Sequence, residues 1–516
     1  MRRVYRQAAF RSVRPAVLLV AAILPVLAGC GRRQDAPAPP AHAAPELAPR
    51  HFELADFLAS RPTGVDSPDV PRLAAAQGLI WSPDPPAPPP PVLAAAPAGF
   101  LVAAVAPRGE RVALVRDIDP DSTEVLLYDR SRGETRLLLP VDRDARFLPQ
   151  HFSADGERLF LFSDEADDTL QLEVLEPDTG ARQRRNRPGC EALRFDSSPD
   201  GAVYALQWSC SGKVQAALFD SATGAERGPL PLPIGTRAAR VLPAGAAGGV
   251  IYEVASARAP RDLLFGDRLD SDARVRPLSF GLSPLITAED LVDPTAVALA
   301  IAGAPPVPSE LWWPRRPPAP PAALIWLEND VAPPAWFEFH PFFQFLANRG
   351  VAVLRLRLRG SQGFGRRFRH AADGRLVDAG FEDIDAARAE LARRGVDPQR
   401  IALAGQGPWA GALAAAAQTA RPGSFAAAAD LGGDPDPLRG LDTLAALPEP
   451  PHTWWLTRLG DPASDVVRRD RARMLLPADL SGRRLFLADD PEATAGAAAT
   501  LAALWEFLAP SLGTPP

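Results

Sequence analysis

Arg400-Ile401-Ala402-Leu403-Ala404-Gly405-Gln406-Gly407-Pro408-Trp409-Ala410-Gly411 is the stretch on which the reading of this chain turns. The apolar run Ile401 to Ala404 predicts a strand buried on both faces, and the small residues from Ala410 to Thr419 predict the helix behind it. Only a sharp turn fits between them. When such a strand-to-helix corner reads G-x-S-x-G, it lifts a serine hydroxyl above the sheet for nucleophilic attack. Here Gly405 supplies the first glycine, Gly407 stands in the serine position and Trp409 in that of the last glycine. Pro408, which follows the serine position, has no N–H to offer a developing oxyanion. Glycine tolerates the corner's unusual dihedrals and proline suits the first position of a helix, so the shape of the turn is kept while its chemistry is removed.

The chain starts with Arg2, Arg3, Arg6, Arg11 and Arg14, then an apolar run from Pro15 to Ala28 that ends in Leu27-Ala28-Gly29-Cys30. A basic n-region, a short h-region and small residues leading into a cysteine predict a secretory signal over residues 1–29. The run is too short to span a bilayer comfortably. It resembles a bacterial lipoprotein signal, which implies cleavage before Cys30, lipidation of that thiol and attachment to a membrane of the cell envelope. Gly31 in place of an aspartate implies the periplasmic face of the outer membrane. Residues 30–50 are rich in proline and alanine and predict a flexible tether, and Pro83 to Pro91 predicts an extended insertion. The 516 residues imply two or more domains, and a net charge of -6 without a basic patch excludes a nucleic-acid partner.

Between about Phe100 and Phe280 the chain repeats itself. The turns Pro107-Arg108-Gly109, Ala154-Asp155-Gly156 and Pro199-Asp200-Gly201 each precede an apolar strand, and second turns follow at Arg132-Gly133, Thr179-Gly180 and Thr223-Gly224. A period in the forties with two hairpin turns per unit predicts the blades of a β-propeller, four or five of them legible, with a weaker copy through Gly249 to Tyr252. A sandwich of short strands is the competing reading, but it does not explain the fixed period. Cys190 and Cys210 lie symmetrically about the turn Ser198 to Gly201, so a regular hairpin sets them face to face. A disulfide is expected in an oxidising compartment, with two buried thiols as the alternative.

From about Ile286 strands alternate with helices, which predicts a mostly parallel, doubly wound sheet. Expected strands are Ala323 to Leu327, Val351 to Leu358, the elbow strand, Phe425 to Asp430 and Arg484 to Ala488. Expected helices lie around Phe342 to Asn348, Glu382 to Arg394 and Ala495 to Leu508, with an edge strand near Trp312-Trp313.

Phe345 to Val353, Arg359-Gly360-Ser361-Gln362-Gly363-Phe364-Gly365, Asp383, Val396 to Ile401 and Pro422 to Ala427 together resemble the prolyl oligopeptidase family of serine peptidases. The resemblance implies a β-propeller of the TolB and dipeptidyl-peptidase kind (residues 51–285) followed by an α/β-hydrolase domain (286–516), with a serine, aspartate and histidine triad in that chain order. The last strand of the domain is expected to be missing or shifted. No histidine follows His452. Asp489 and Asp490 are the candidate remnant of the family's acid. Glu328-Asn329-Asp330 replaces the loop that lines the family's oxyanion side, and carboxylates there oppose an acyl-transfer transition state. Neither His340 nor His370 has a serine or cysteine partner that the sequence places. No metal-ligand spacing, phosphate loop or dinucleotide fingerprint occurs, so neither metal nor cofactor is expected. The expectation is therefore a non-catalytic lipoprotein that binds a peptide or another envelope protein, Trp409, Trp312-Trp313 and Trp454-Trp455 being candidate site walls or plain packing. An active serine-type peptidase or esterase is the alternative.

Overall fold

The computed structural model describes residues 50–60, 97, 99–431 and 493–514, apart from positions 120, 141–144, 186, 188, 199–200, 211–212, 231, 233–237, 244–248, 269–273, 329–337, 362 and 422. The first blade is β1 (Leu101–Val105), β2 (Arg111–Asp119), β3 (Ser122–Asp129) and β4 (Glu134–Leu139), and the second is β5 (Phe147–Phe152), β6 (Leu159–Ser163), β7 (Gln171–Leu175) and β8 (Arg182–Arg185). The third is β9 (Cys190–Ser197), β10 (Val203–Cys210), β11 (Lys213–Asp220) and β12 (Glu226–Pro229). The fourth is β13 (Ala238–Pro243), β14 (Val250–Ser256), β15 (Ala259–Gly266) and β16 (Val275–Pro277). Each is an antiparallel four-stranded sheet in sequential order.

The repeat is written by its turns, because Gly109, Gly156 and Gly201 after the first strand and Gly133, Gly180 and Gly224 after the third all hold positive φ. What makes the sheets a propeller is the sharing of cores between neighbours. Blades 1 and 2 bury Leu127, Leu139, Phe147 and Leu161 in one cluster, blades 2 and 3 share Phe160, Tyr204 and Phe219, and blades 3 and 4 share Leu218, Val241 and Tyr252. In the hairpin of β9 and β10, Cys190 is paired opposite Cys210 and the two form a disulfide.

The second domain is a six-stranded sheet of β17 (Thr295–Leu299), β18 (Val307–Trp312), β19 (Ala322–Glu328), β20 (Val351–Arg357), β21 (Ile401–Gln406) and β22 (Ala428–Leu431), in the order β17-β18-β20-β19-β21-β22. The last four in that order run parallel, while β17 and β18 are antiparallel additions. The Trp312 strand was expected at the edge, but β17 covers it, because Leu299 and Val307 need an apolar partner on that side. Helices pack on both faces. On one lie α1 (Leu54–Leu58), α2 (Pro341–Asn348) and α5 (Ala493–Ser511); on the other lie α3 (Leu376–Arg393) and α4 (Pro408–Ala420).

Residues 50–60 correct the expected domain assignment. Phe57 stacks edge-on against Phe345 at 6.1 Å and Asn348 accepts the Phe52 N–H, so this segment packs on the sheet domain and not on the propeller to which its place in the sequence assigned it. The helix expected from Glu382 starts earlier, at Leu376, so that Ala379 and Ile384 are buried with it. The strand expected at Phe425 starts at Ala428, and Phe425 packs in the core before it.

Candidate functional site

The elbow sits where the physics of the sheet places a site, at the carboxyl end of β21 beside the carboxyl end of β19. There the chain's crossovers switch from one side of the sheet to the other. Its backbone is that of a nucleophile turn. A Cβ at Gly405 would overlap the Ala410 carbonyl, so strand and helix touch backbone to backbone. Gly407 has φ +93° and caps α4, whose first residue is Pro408 and whose first turn closes through the Gly411 N–H on the Gly407 carbonyl at 2.9 Å. Where a serine side chain would rise, nothing among the described residues lies within 4 Å. The place is open and holds no hydroxyl.

Trp409, a candidate wall residue, is buried in the core beneath the helix with Leu413 and Phe425, and Trp312 is fully buried on the opposite face of the sheet. Both are packing residues, because an indole facing the core removes more apolar area from water than one lining an open groove.

Glu328, expected as an unfavourable carboxylate facing the oxyanion side, is instead neutralised. It is buried at the end of β19, where it accepts from Arg355 at 2.9 Å, from Arg357 at 2.6 Å and from Trp326 Nε1 at 3.0 Å. Burial works to raise its carboxyl, yet Arg355 and Arg357 outweigh burial and hold it below the usual range. Arg355 also meets buried Glu310 at 3.4 Å. The signal that could have found this network is the Arg355-Leu356-Arg357 alternation inside an otherwise apolar strand, since buried guanidiniums require carboxylates.

His340 caps α2, its Nδ1 accepting the Phe343 N–H at 3.3 Å while its ring stacks on Phe343. Burial, aided by Arg355, pushes its imidazole down to about 3, so it is neutral and held in packing. His370 lies elsewhere, bridging Asp121 of the first blade at 2.7 Å and Asp373 at 2.6 Å. Asn329, Asp330, His452, Trp454, Trp455, Asp489, Asp490 and Cys30 lie outside the described residues, as does the expected strand 484–488.

Sequence reasoning missed the seam between the domains. After β20 the chain turns at Arg359, whose Nε meets buried Asp383 at 2.6 Å while its backbone N–H donates to the same carboxylate at 3.0 Å. The following loop docks on the first two blades. Arg366 donates to Asp164 at 2.7 Å, the Arg366 and Arg367 N–H groups donate to Asp168, and Arg369 pairs with Asp121.

Comparison with known proteins agrees with this arrangement. Residues 337–465 match the sequence model described as the prolyl oligopeptidase family. No curated protein matches the chain in sequence. Among solved structures, a puromycin hydrolase is similar with a TM-score of 0.66 at 17% identity, over 80% of this chain and 69% of that one. A puromycin-hydrolyzing peptidase of Mycobacterium tuberculosis gives 0.65 at 19% identity over 81% and 70%. Prolyl oligopeptidase B of Galerina marginata gives 0.66 at 14% over 81% and 65%. With β-propeller blades sharing cores in sequence and an α/β sheet ending in a nucleophile-type turn, the chain has the fold of these solved structures, and residues 337–465 of its second domain match the sequence model of the prolyl oligopeptidase family.

Proposed function

We propose that the chain is a non-catalytic member of the prolyl oligopeptidase family, anchored through Cys30 to the envelope membrane, that uses the two-domain scaffold to bind a peptide or another envelope protein. The observation that carries this reading is Gly407: the turn has the right dihedrals and open space above it, and its residue has no side chain. In a well-studied serine protease, loss of the triad costs roughly a millionfold in turnover, and what remains comes from the oxyanion hole and binding. Pro408 withdraws one oxyanion donor as well.

The test is covalent labelling. Purified protein is incubated with a fluorophosphonate probe and assayed on a panel of peptide esters and on puromycin. Absence of an adduct and of turnover supports the reading. An adduct on the sheet domain overturns it in favour of a serine-type peptidase or esterase. Anchoring is tested apart from this, by growing cells with labelled palmitate: incorporation that disappears in Cys30→Ser supports the anchor, and incorporation unchanged in that variant refutes it.

A further inference from the structure

Where the loop after β20 meets the propeller it leaves a pocket of about 220 Å³, walled by β5, β9 and the segment Gly363 to Arg369. Strand alternation builds it. In β5 the side chains of Phe147 and Phe152 enter the blade core, so those of Leu148 and Gln150, with Arg146 just before the strand, face the opening, and Glu191 and Leu193 do the same from β9. Gly365 lets the loop lie close against the second blade, since a Cβ there would overlap the Asp168 carboxylate.

The charges around the pocket do not cancel evenly. Asp164 Oδ1 accepts from Arg366 at 2.7 Å and from the Arg146 backbone N–H at 2.9 Å, and its Oδ2 makes a long ion pair with Arg369 Nη2 at 3.5 Å. Asp168 is engaged by the Arg367 N–H at 2.7 Å. The Arg146 guanidinium has no hydrogen bond and no ion pair among the described residues, although it is half-buried. Arg369, nine-tenths buried, pairs with Asp121 through Nε, while its Nη2 has the long ion pair with Asp164 and no hydrogen bond among the described residues. Arg146 on one wall thus has no paired acceptor among the described residues, and Arg369 on the facing wall has a buried Nη2 with only a long ion-pair contact; a buried donor left without a hydrogen bond costs free energy that a bound acceptor returns.

We propose that this pocket binds an oxyanion, received by the guanidiniums of Arg146 and Arg369, with Leu148, Phe162 and Leu170 covering whatever apolar part is attached to it. Carboxylate and phosphate share the chemistry, because both offer the paired acceptors that a guanidinium fork fits. Glu191 in the same wall, raised by burial to about 7, opposes an anion less than an ordinary carboxylate does. The site does not depend on whether the elbow is inert.

Calorimetric titration of the full-length chain tests it with three probes: acetyl-glycyl-glycine, the same peptide as its C-terminal amide, and inorganic phosphate. Binding of the free acid but not the amide identifies a carboxylate terminus, and binding of phosphate alone identifies a free anion. Either result supports the site if Arg146→Gln weakens it about tenfold or more. Arg146→Gln is expected to fold, since its guanidinium holds nothing in place; should it not, Arg146→Lys, which keeps the charge and loses the fork, is expected to weaken binding several-fold. Failure of all three probes to bind, or binding undiminished in the Arg146 variant, overturns the proposal. Neither result bears on fluorophosphonate labelling.

Discussion

At the elbow the close approaches are made by backbone, with Gly405 against the Ala410 carbonyl and Gly407 turning into α4. At the seam the backbone is an irregular loop, and what fixes it is charge: Arg359 on Asp383, Arg366 on Asp164, Arg369 on Asp121, His370 between two carboxylates. One region has the backbone of a nucleophile turn with glycine at its tip; the other has charged groups in plenty and a shape defined by them. Packing of this corner needs only glycine and alanine, so the fold can hold it in place whatever residue stands at its tip.

The largest effect expected from attacking this contrast lies at the seam. Arg359→Ala leaves Asp383 buried with its ion-pair partner removed, and such a loss costs about 4 kcal/mol. Urea denaturation is expected to show the sheet domain destabilised by that amount. A change below about 1 kcal/mol would mean that water reaches Asp383 and that the seam loop is held by something else.

At the elbow, Gly405→Ala drives a methyl into the Ala410 carbonyl with backbone on both sides, and overpacking of this kind costs about 3 kcal/mol. Gly407→Ser costs less, about 1–2 kcal/mol, because its side chain meets open space and only the positive φ opposes it. The serine variant is also expected to remain unlabelled by fluorophosphonate, since Pro408 supplies no oxyanion donor. Labelling of that variant would show that a base and a donor still stand around the turn, and the contrast with the seam would then narrow to one missing hydroxyl.

The elbow was legible because a strand, a glycine turn and a helix of small residues are local patterns, and so were the blades, whose turn glycines recur at a fixed spacing. The hairpin placing Cys190 opposite Cys210 could be counted from its turn for the same reason. The seam was not legible. Asp121, Asp164 and Asp168 look like ordinary turn residues, and their partners Arg366 and Arg369 are some two hundred residues away. Glu328 misled for a related reason: its meaning as an unfavourable carboxylate held only while Arg355 and Arg357 were read as part of an apolar strand. Residues 50–60 were assigned by their place in the sequence, whereas Phe52 and Phe57 pack where α2 and α5 leave apolar surface to cover.

A last prediction separates the two regions by pH. Glu191, in the seam pocket, has its carboxyl raised from 4.5 to about 7, first by burial and then by the nearness of Asp168, against the Leu170 backbone, Arg146 and Arg369, which lower it. In the unfolded chain the same group titrates near its ordinary value. Between those two pH values the folded chain therefore binds more protons than the unfolded one, so Glu191's contribution to stability is complete below 4.5 and is lost as the pH rises through 7. Comparing melting temperatures of the native chain and of Glu191→Gln from pH 5 to 8 isolates this group from all others: the native chain is expected to lose ground to the variant as the pH rises. A difference that stays constant over that range would place Glu191 in ordinary solvent contact, and the seam would then owe its order to the ion pairs alone.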